Sequence, residues 1–309
     1  MNPETDADNL VLRRGSVECL LSPRQGGSIA RLTWQAPDGQ AQDGPVNLLR
    51  PASDWALRNG SAGDMGCFPL VPFSNRIAAG YFRFNGEDVR LPLNMGGCPH
   101  AIHGHGWQAA WEADEVGDGA ARMVHRHKAD GGWPWRYCAE QAITVEEDGL
   151  TVAITLTNED RRPMPAGIGL HPYFPKPPGT RLTARVDGVW LNDPTVLPAQ
   201  HAPLPAAWAF PDGVDMDATV LDNGFTGWDG QAALAWPSLG LRLTVETSGP
   251  FGHLVIYAPQ GEDYLCAEPV SHMTDAVNHG ADPTAGLRTL RPDESLTGAM
   301  RLRVAAIRS

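Results

Sequence analysis

The chain has 309 residues, 42% of them hydrophobic, which is ample to bury a core. Its 24 basic and 36 acidic residues leave a net charge of −12. An acidic surface repels phosphate backbones and anionic lipid, so the composition argues against nucleic acid and membrane surfaces as partners.

The N-terminus, Met1-Asn-Pro-Glu-Thr-Asp-Ala-Asp-Asn9, is acidic and polar. It has neither the basic start nor the apolar run of a signal peptide. No later stretch approaches the length of a transmembrane helix. Glycine (34) and proline (27) are spread along the whole chain and interrupt any long helical period, so strands and turns are expected. The apolar run Cys67-Phe-Pro-Leu-Val-Pro-Phe reads as an edge strand, because Pro69 and Pro72 limit ladder bonding. It ends in Ser74-Asn75-Arg76. Tyr81–Leu91 reads as a hairpin around Asn85-Gly86, which accepts the positive φ of a tight turn. Glu147-Asp148-Gly149 is a second such turn. Leu150, Val152, Ile154 and Leu156 alternate with Thr151, Ala153, Thr155 and Thr157. Leu241, Leu243 and Val245 alternate with polar neighbours, and so do Met300, Leu302 and Val304. A period of two marks half-buried antiparallel strands. Arg161–Pro165 and Pro175–Gly179 read as loops, and Met273–Asn278 as the most helical stretch, barely two turns. The expected class is all-β: a large antiparallel β-sandwich of two packed sheets, one domain over residues 1–309.

The five cysteines, Cys19, Cys67, Cys98, Cys138 and Cys266, are odd in number and form no CxxC pair. That argues against a disulfide framework or a zinc ribbon and fits a reducing cytosol, so a cytoplasmic location is expected.

Chemistry-bearing residues fall in apolar or Gly/Pro-rich phrases. His100, His103 and His105 cluster before Glu112. His171 is flanked by Gly167, Gly169 and Pro172, with Tyr173 and Phe174 following to supply aromatic faces for a sugar's C–H surface. Asp222 opens Asp-Asn-Gly-Phe, a context that more often makes a turn residue than a catalytic one. Glu268 lies in the apolar phrase Asp-Tyr-Leu-Cys-Ala-Glu-Pro-Val and must be paired or functional, since burying a lone carboxylate is costly. A structural ion pair with Arg76 is the plainer account of it. Burial would also raise its pKa and make it a better base near neutrality. Arg76 offers a rigid fork of donors suited to sugar hydroxyls. His125, His127, His201 and His279 are expected to be exposed.

One rival pattern uses the same residues. Gly97, His103, His105, Glu112 and Gly119 nearly spell a cupin metal-binding motif, which would imply iron or manganese. The glutamate comes too late for it. Gly104-His-Gly-Trp-Gln-Ala109 fits GxGxxA without the strand and helix that a dinucleotide turn needs.

The phrases around Arg76, His103, His171 and Glu268, with Leu21-Ser-Pro-Arg-Gln-Gly-Gly-Ser-Ile29 at the start, resemble the aldose 1-epimerases, or galactose mutarotases, over nearly the whole chain. The resemblance implies the mutarotase-like supersandwich and an isomerase of carbohydrate metabolism that needs neither cofactor nor metal. It implies a monosaccharide as ligand and a monomer or homodimer as assembly. Residue by residue, it makes His171 the general acid to the ring oxygen, Glu268 the base to the C1 hydroxyl, and His103 the second histidine on the ring-oxygen side. Arg76, Asn75 and Asp222 would bind the sugar. Galactose-type members carry His-Gly-Gly where this chain has His103-Gly-His-Gly-Trp, so the aldose is left open. A non-catalytic sugar-binding sandwich is the competing function. A hexose-6-phosphate epimerase is another, with Arg24, Arg31 and Lys176 as phosphate ligands.

Overall fold

The computed structural model describes residues 9–36, 44–60, 62–280, 282 and 284–307; the acidic stretch Met1–Asp8 lies outside them. Among the described residues two large antiparallel sheets dominate. The nine-stranded one runs, neighbour to neighbour, through Glu112–Asp114, Ala120–His127, Tyr137–Glu146, Gly149–Asn158, Ser295–Ala306, Leu241–Ser248, Gln231–Trp236, Arg181–Ala184 and Val214–Asp215. The three alternating series expected from the sequence are consecutive neighbours in it. Leu150 lies opposite Leu302, Val152 opposite Met300, and Val245 opposite Leu302. Their apolar sides enter the main core, while Thr155 and Thr157 on the far side hydrogen-bond to Thr297 and Ser295 at 3.0 and 2.8 Å. One wet face and one dry face is what antiparallel pairing permits.

The eleven-stranded sheet runs through Leu10–Arg14, Val17–Ser22, Ser28–Trp34, Cys67–Leu70, Gly169–Pro175, Tyr264–Val270, His253–Ala258, Leu221–Thr226, Gly188–Asn192 and Pro198–Ala202, with Val46–Asn47 paired to Ser28–Trp34. One face of its middle strands joins the main core through Leu170, Phe174, Leu254, Ile256, Leu265 and Ala267. The opposite face carries a second apolar cluster of Phe68, Tyr173, Val255, Cys266 and, from a bordering loop, Trp107. These strands are therefore buried on both sides, and the side chains away from the core floor the site.

Two expectations need correction. Cys67–Leu70 is an interior strand, held between Ser28–Trp34 and Gly169–Pro175, and Pro69 is accommodated opposite Leu170. The stretch near Met273–Asn278 holds only a 3₁₀ turn, Ala276–His279. Among the described residues the α-helix is Asp54–Asn59, which the sequence signals through its ends. Ser53 accepts a hydrogen bond from the Ala56 N–H at 3.1 Å, and Gly60 closes the helix at φ 75°. The Tyr81–Phe84/Glu87–Arg90 hairpin forms as expected, with Asn85 at φ 49° and Gly86 at φ 85°. All five cysteines are free thiols.

Candidate active site

Antiparallel register builds the floor. Gly169 pairs with Val270 and Tyr173 with Cys266, so counting inward from both ends brings His171 opposite Glu268. On the other side His171 pairs with Phe68, and Glu268 pairs with Val255. His171 Nε2 and Glu268 Oε1 lie 3.4 Å apart, with both side chains almost wholly buried. The His171 ring stacks on Phe68 at 4.5 Å and on Tyr173 at 4.7 Å, which fixes its plane. Trp107 extends the wall by stacking on Phe68 at 5.5 Å. Arg50 lies 3.8 Å over the outer Tyr173 ring while donating to the Gly63 and Met65 carbonyls.

Loops supply the rim and, with His103, one edge of the floor. His103 sits at φ 60° and is locked to Asn75 in both directions: its N–H donates to the Asn75 carbonyl at 2.8 Å, and its Nδ1 accepts from the Asn75 N–H at 3.2 Å. With Nδ1 accepting, the neutral ring carries its proton on Nε2. The ring stands edge-on to His171 at 5.2 Å. Gly104 lets this loop close, since a Cβ there would fall 2.1 Å from the Val71 carbonyl oxygen. Arg76 donates to Asn75 Oδ1 at 3.0 Å and reaches Asp222 at 3.5 Å. The arginine's ion-pair partner is thus Asp222, on the strand Leu221–Thr226, and the partner of Glu268 is His171. The ion pair expected as the plainer account of Glu268 is not the one formed.

The electrostatics follow from burial. Burial pushes the Glu268 carboxyl well above its ordinary value; the charge of Asp222 adds to this and Arg76 opposes it. Burial pushes His171 far below the ordinary imidazole value, and the Arg50 charge lowers it further. His103 is lowered by burial, then by His171 and Arg76. The carboxyl of Asp222 is raised by burial against the pull of Arg76. Burial therefore disfavours both the carboxylate of Glu268 and the imidazolium of His171.

Of the residues singled out from sequence, Glu268, His171 and His103 converge on the floor, and Arg76, Asn75 and Asp222 form one connected rim. One other expectation fails. His125 and His127 are buried in the strand Ala120–His127, not exposed; burial and the facing His105 and His127 lower His125 to about 4. Arg126, the polar residue between them, is on the outward-facing half of that strand. His105 faces these two histidines rather than His171, while Glu112 is exposed, so the cupin grouping does not form. Of the proposed phosphate ligands, Arg31 lines a cleft with Glu18 and Asp54, and Lys176 one with Arg50 and Asp263; neither cleft includes His171 or Glu268.

Sequence reasoning assigned no role to His272 and Asp275, which hold the rim from below. His272 Nε2 accepts from the Ser74 N–H at 3.1 Å, while its Nδ1 donates to the Met273 carbonyl at 2.7 Å. Asp275 accepts from the Ala78 N–H at 3.0 Å and donates its own N–H to the Arg76 carbonyl. Gly167 makes room for this, since a Cβ there would lie 2.0 Å from the His272 ring. The signal was the polar phrase Ser271-His-Met-Thr-Asp275, directly after the apolar strand phrase that already held Glu268.

Residues 9–303 match the family model described as aldose 1-epimerase. The uncharacterised protein YphB of Escherichia coli (strain K12) is 34% identical over 265 residues, which span 83% of this chain and 88% of YphB. A crystal structure from Escherichia coli K12, solved as a candidate aldose 1-epimerase, superposes with a TM-score of 0.85 at 32% identity, covering 96% of this chain and 99% of that one. A galactose mutarotase-like protein from Clostridium acetobutylicum shares the fold, with a TM-score of 0.84 at 21% identity over 96% of this chain and 95% of its own.

Proposed function

The chain belongs to the aldose 1-epimerase family, and from that premise we propose that it interconverts the α and β anomers of an aldose by acid–base ring opening and closure. The observation that carries this reading is the 3.4 Å contact between His171 Nε2 and Glu268 Oε1 on a buried, aromatic-walled floor. The two oxygens that must exchange protons in mutarotation, the C1 hydroxyl and the ring oxygen, hang from one carbon. Acid and base therefore have to stand side by side.

In the forward direction Glu268 takes the proton of the C1 hydroxyl. The electron pair left on that oxygen forms the carbonyl, the bond from C1 to the ring oxygen breaks, and the ring oxygen takes the proton of His171. Rotation about the C1–C2 bond presents the other carbonyl face, and the reverse transfers close the ring. The pair ends with its single proton restored, so the cycle needs no cofactor. Each positioned transfer contributes on the order of 10²–10⁴ in rate. His103, with its Nε2–H turned away from Asn75, supports charge on the ring-oxygen side. Arg76, Asn75 and Asp222 offer donors and acceptors to the sugar hydroxyls.

The pH profile of kcat/KM tests the protonation scheme, because it reports the free enzyme. The active form carries one proton on the pair. As pH falls, activity is lost only when a second proton arrives, which the lowered His171 value delays to well below the ordinary 6.5. As pH rises, activity is lost when the single proton leaves, which the raised Glu268 value delays to well above 4.5. The expected profile has no acid limb near 6.5. An acid limb there that vanishes in His171→Asn would contradict the scheme.

A further inference from the structure

Apart from the acid–base pair, a second group of ionisable side chains is buried between the loop after His103 and the nine-stranded sheet. His105, His125 and His127 bring one ring nitrogen each to within 4.8 Å of one another. The rings of His105 and His127 are 5.1 Å apart and those of His105 and His125 are 5.9 Å apart. His125 Nε2 and His105 Nδ1 are both buried without a hydrogen-bond partner. So is the hydroxyl of Tyr137, whose ring stacks on His127 at 4.8 Å. Three unsatisfied polar atoms in one cluster are costly, and native interiors rarely leave such groups unpaired.

The geometry points to a three-histidine site for a divalent transition metal of the zinc class. His127 Nε2 lies 2.9 Å from the Trp133 carbonyl, a contact that needs its proton and leaves Nδ1 with the lone pair. A carbonyl acceptor on the far nitrogen is the usual support of a metal-bound imidazole. Three imidazoles, with the Asp130 carboxylate 3.6 Å from His127 Nε2, suit zinc or copper(II) better than magnesium or calcium. Nitrogens around a tetrahedral zinc stand about 3.3 Å apart, for Zn–N bonds of about 2.0–2.1 Å. Binding would draw together ring nitrogens that now lie within 4.8 Å of one another. His105 is half-buried, which leaves a way in for the ion and a fourth position for water. Because His105 is two residues from His103 and its N–H donates to the Val71 carbonyl, the ion would pin the loop carrying His103 onto the strand Ala120–His127.

The test is zinc binding to the full chain after chelator treatment, followed by equilibrium dialysis and thermal unfolding. One zinc per chain is expected, with a rise in Tm as zinc is added. His105→Ala, a loop change that removes a ligand without opening the core, should weaken binding by about a hundredfold or more. Cys266→Ser should leave binding unchanged, which separates this site from the neighbouring His171, Cys266 and Glu268 group. No saturable binding, full binding in His105→Ala, or binding lost in Cys266→Ser would each overturn the assignment.

Discussion

Glu268→Gln is expected to lower kcat for anomer interconversion by about a thousandfold, within the range that a single positioned base supplies. The amide keeps the shape of the carboxyl and its contact with His171 but cannot accept a proton from the C1 hydroxyl. Sugar binding, measured by calorimetry, should change only a few-fold, because the hydroxyl-binding groups Arg76, Asn75 and Asp222 are untouched. The fold should survive as well. Burial raises the Glu268 carboxyl in the folded state, so ionising it costs stability. That cost is absent below the unfolded value of about 4.3 and grows as pH rises through the folded value. A neutral glutamine escapes it, and the variant should melt at the same temperature as wild type or higher at pH 8. A variant that turns over at the wild-type rate would remove Glu268 as the base.

His171→Asn should cost about 10²–10⁴ in kcat, since an amide has no proton to give to the ring oxygen. The rim stays in place, so the sugar should still bind. Some activity should remain, because His103 stands 5.2 Å from the His171 ring on the same floor. The two losses should not add. Acid and base act on one concerted transfer, and residues that act as a unit are strongly non-additive. The double variant Glu268→Gln/His171→Asn is expected to be little worse than the poorer single one. A double variant whose loss is the full product of the singles would mean that the two residues serve different steps.

The sequence foretold the nine-stranded sheet better than the eleven-stranded one, and the reason is physical. Leu150–Leu156, Leu241–Val245 and Met300–Val304 alternate because one side of their sheet is wet. Cys67–Leu70, Gly169–Pro175 and Tyr264–Val270 are buried on both sides, by the core beneath and the site above. No period of two survives there. That is also why an acid and a histidine inside those runs carried information: His171 and Glu268 are polar groups on a face that burial leaves apolar elsewhere. Their pairing was not legible, because it depends on a register set by residues almost a hundred positions apart. The same long range hid the scaffold role of His272, whose partner Ser74 is 198 residues away. His125 and His127 were misjudged for a local reason. Their neighbours Arg126 and Lys128 are polar, and only the strand's place in the sheet shows which half of the alternation faces inward.

The most direct test of the central claim is polarimetry of freshly dissolved α-D-glucose and α-D-galactose at neutral pH, with wild type and Glu268→Gln side by side. Wild type is expected to speed the approach to the equilibrium rotation for at least one of these or a related aldose, and the variant to do so about a thousandfold less. Equal acceleration by both proteins, or sugar binding by wild type with no acceleration for any aldose in a wider panel, would contradict that claim.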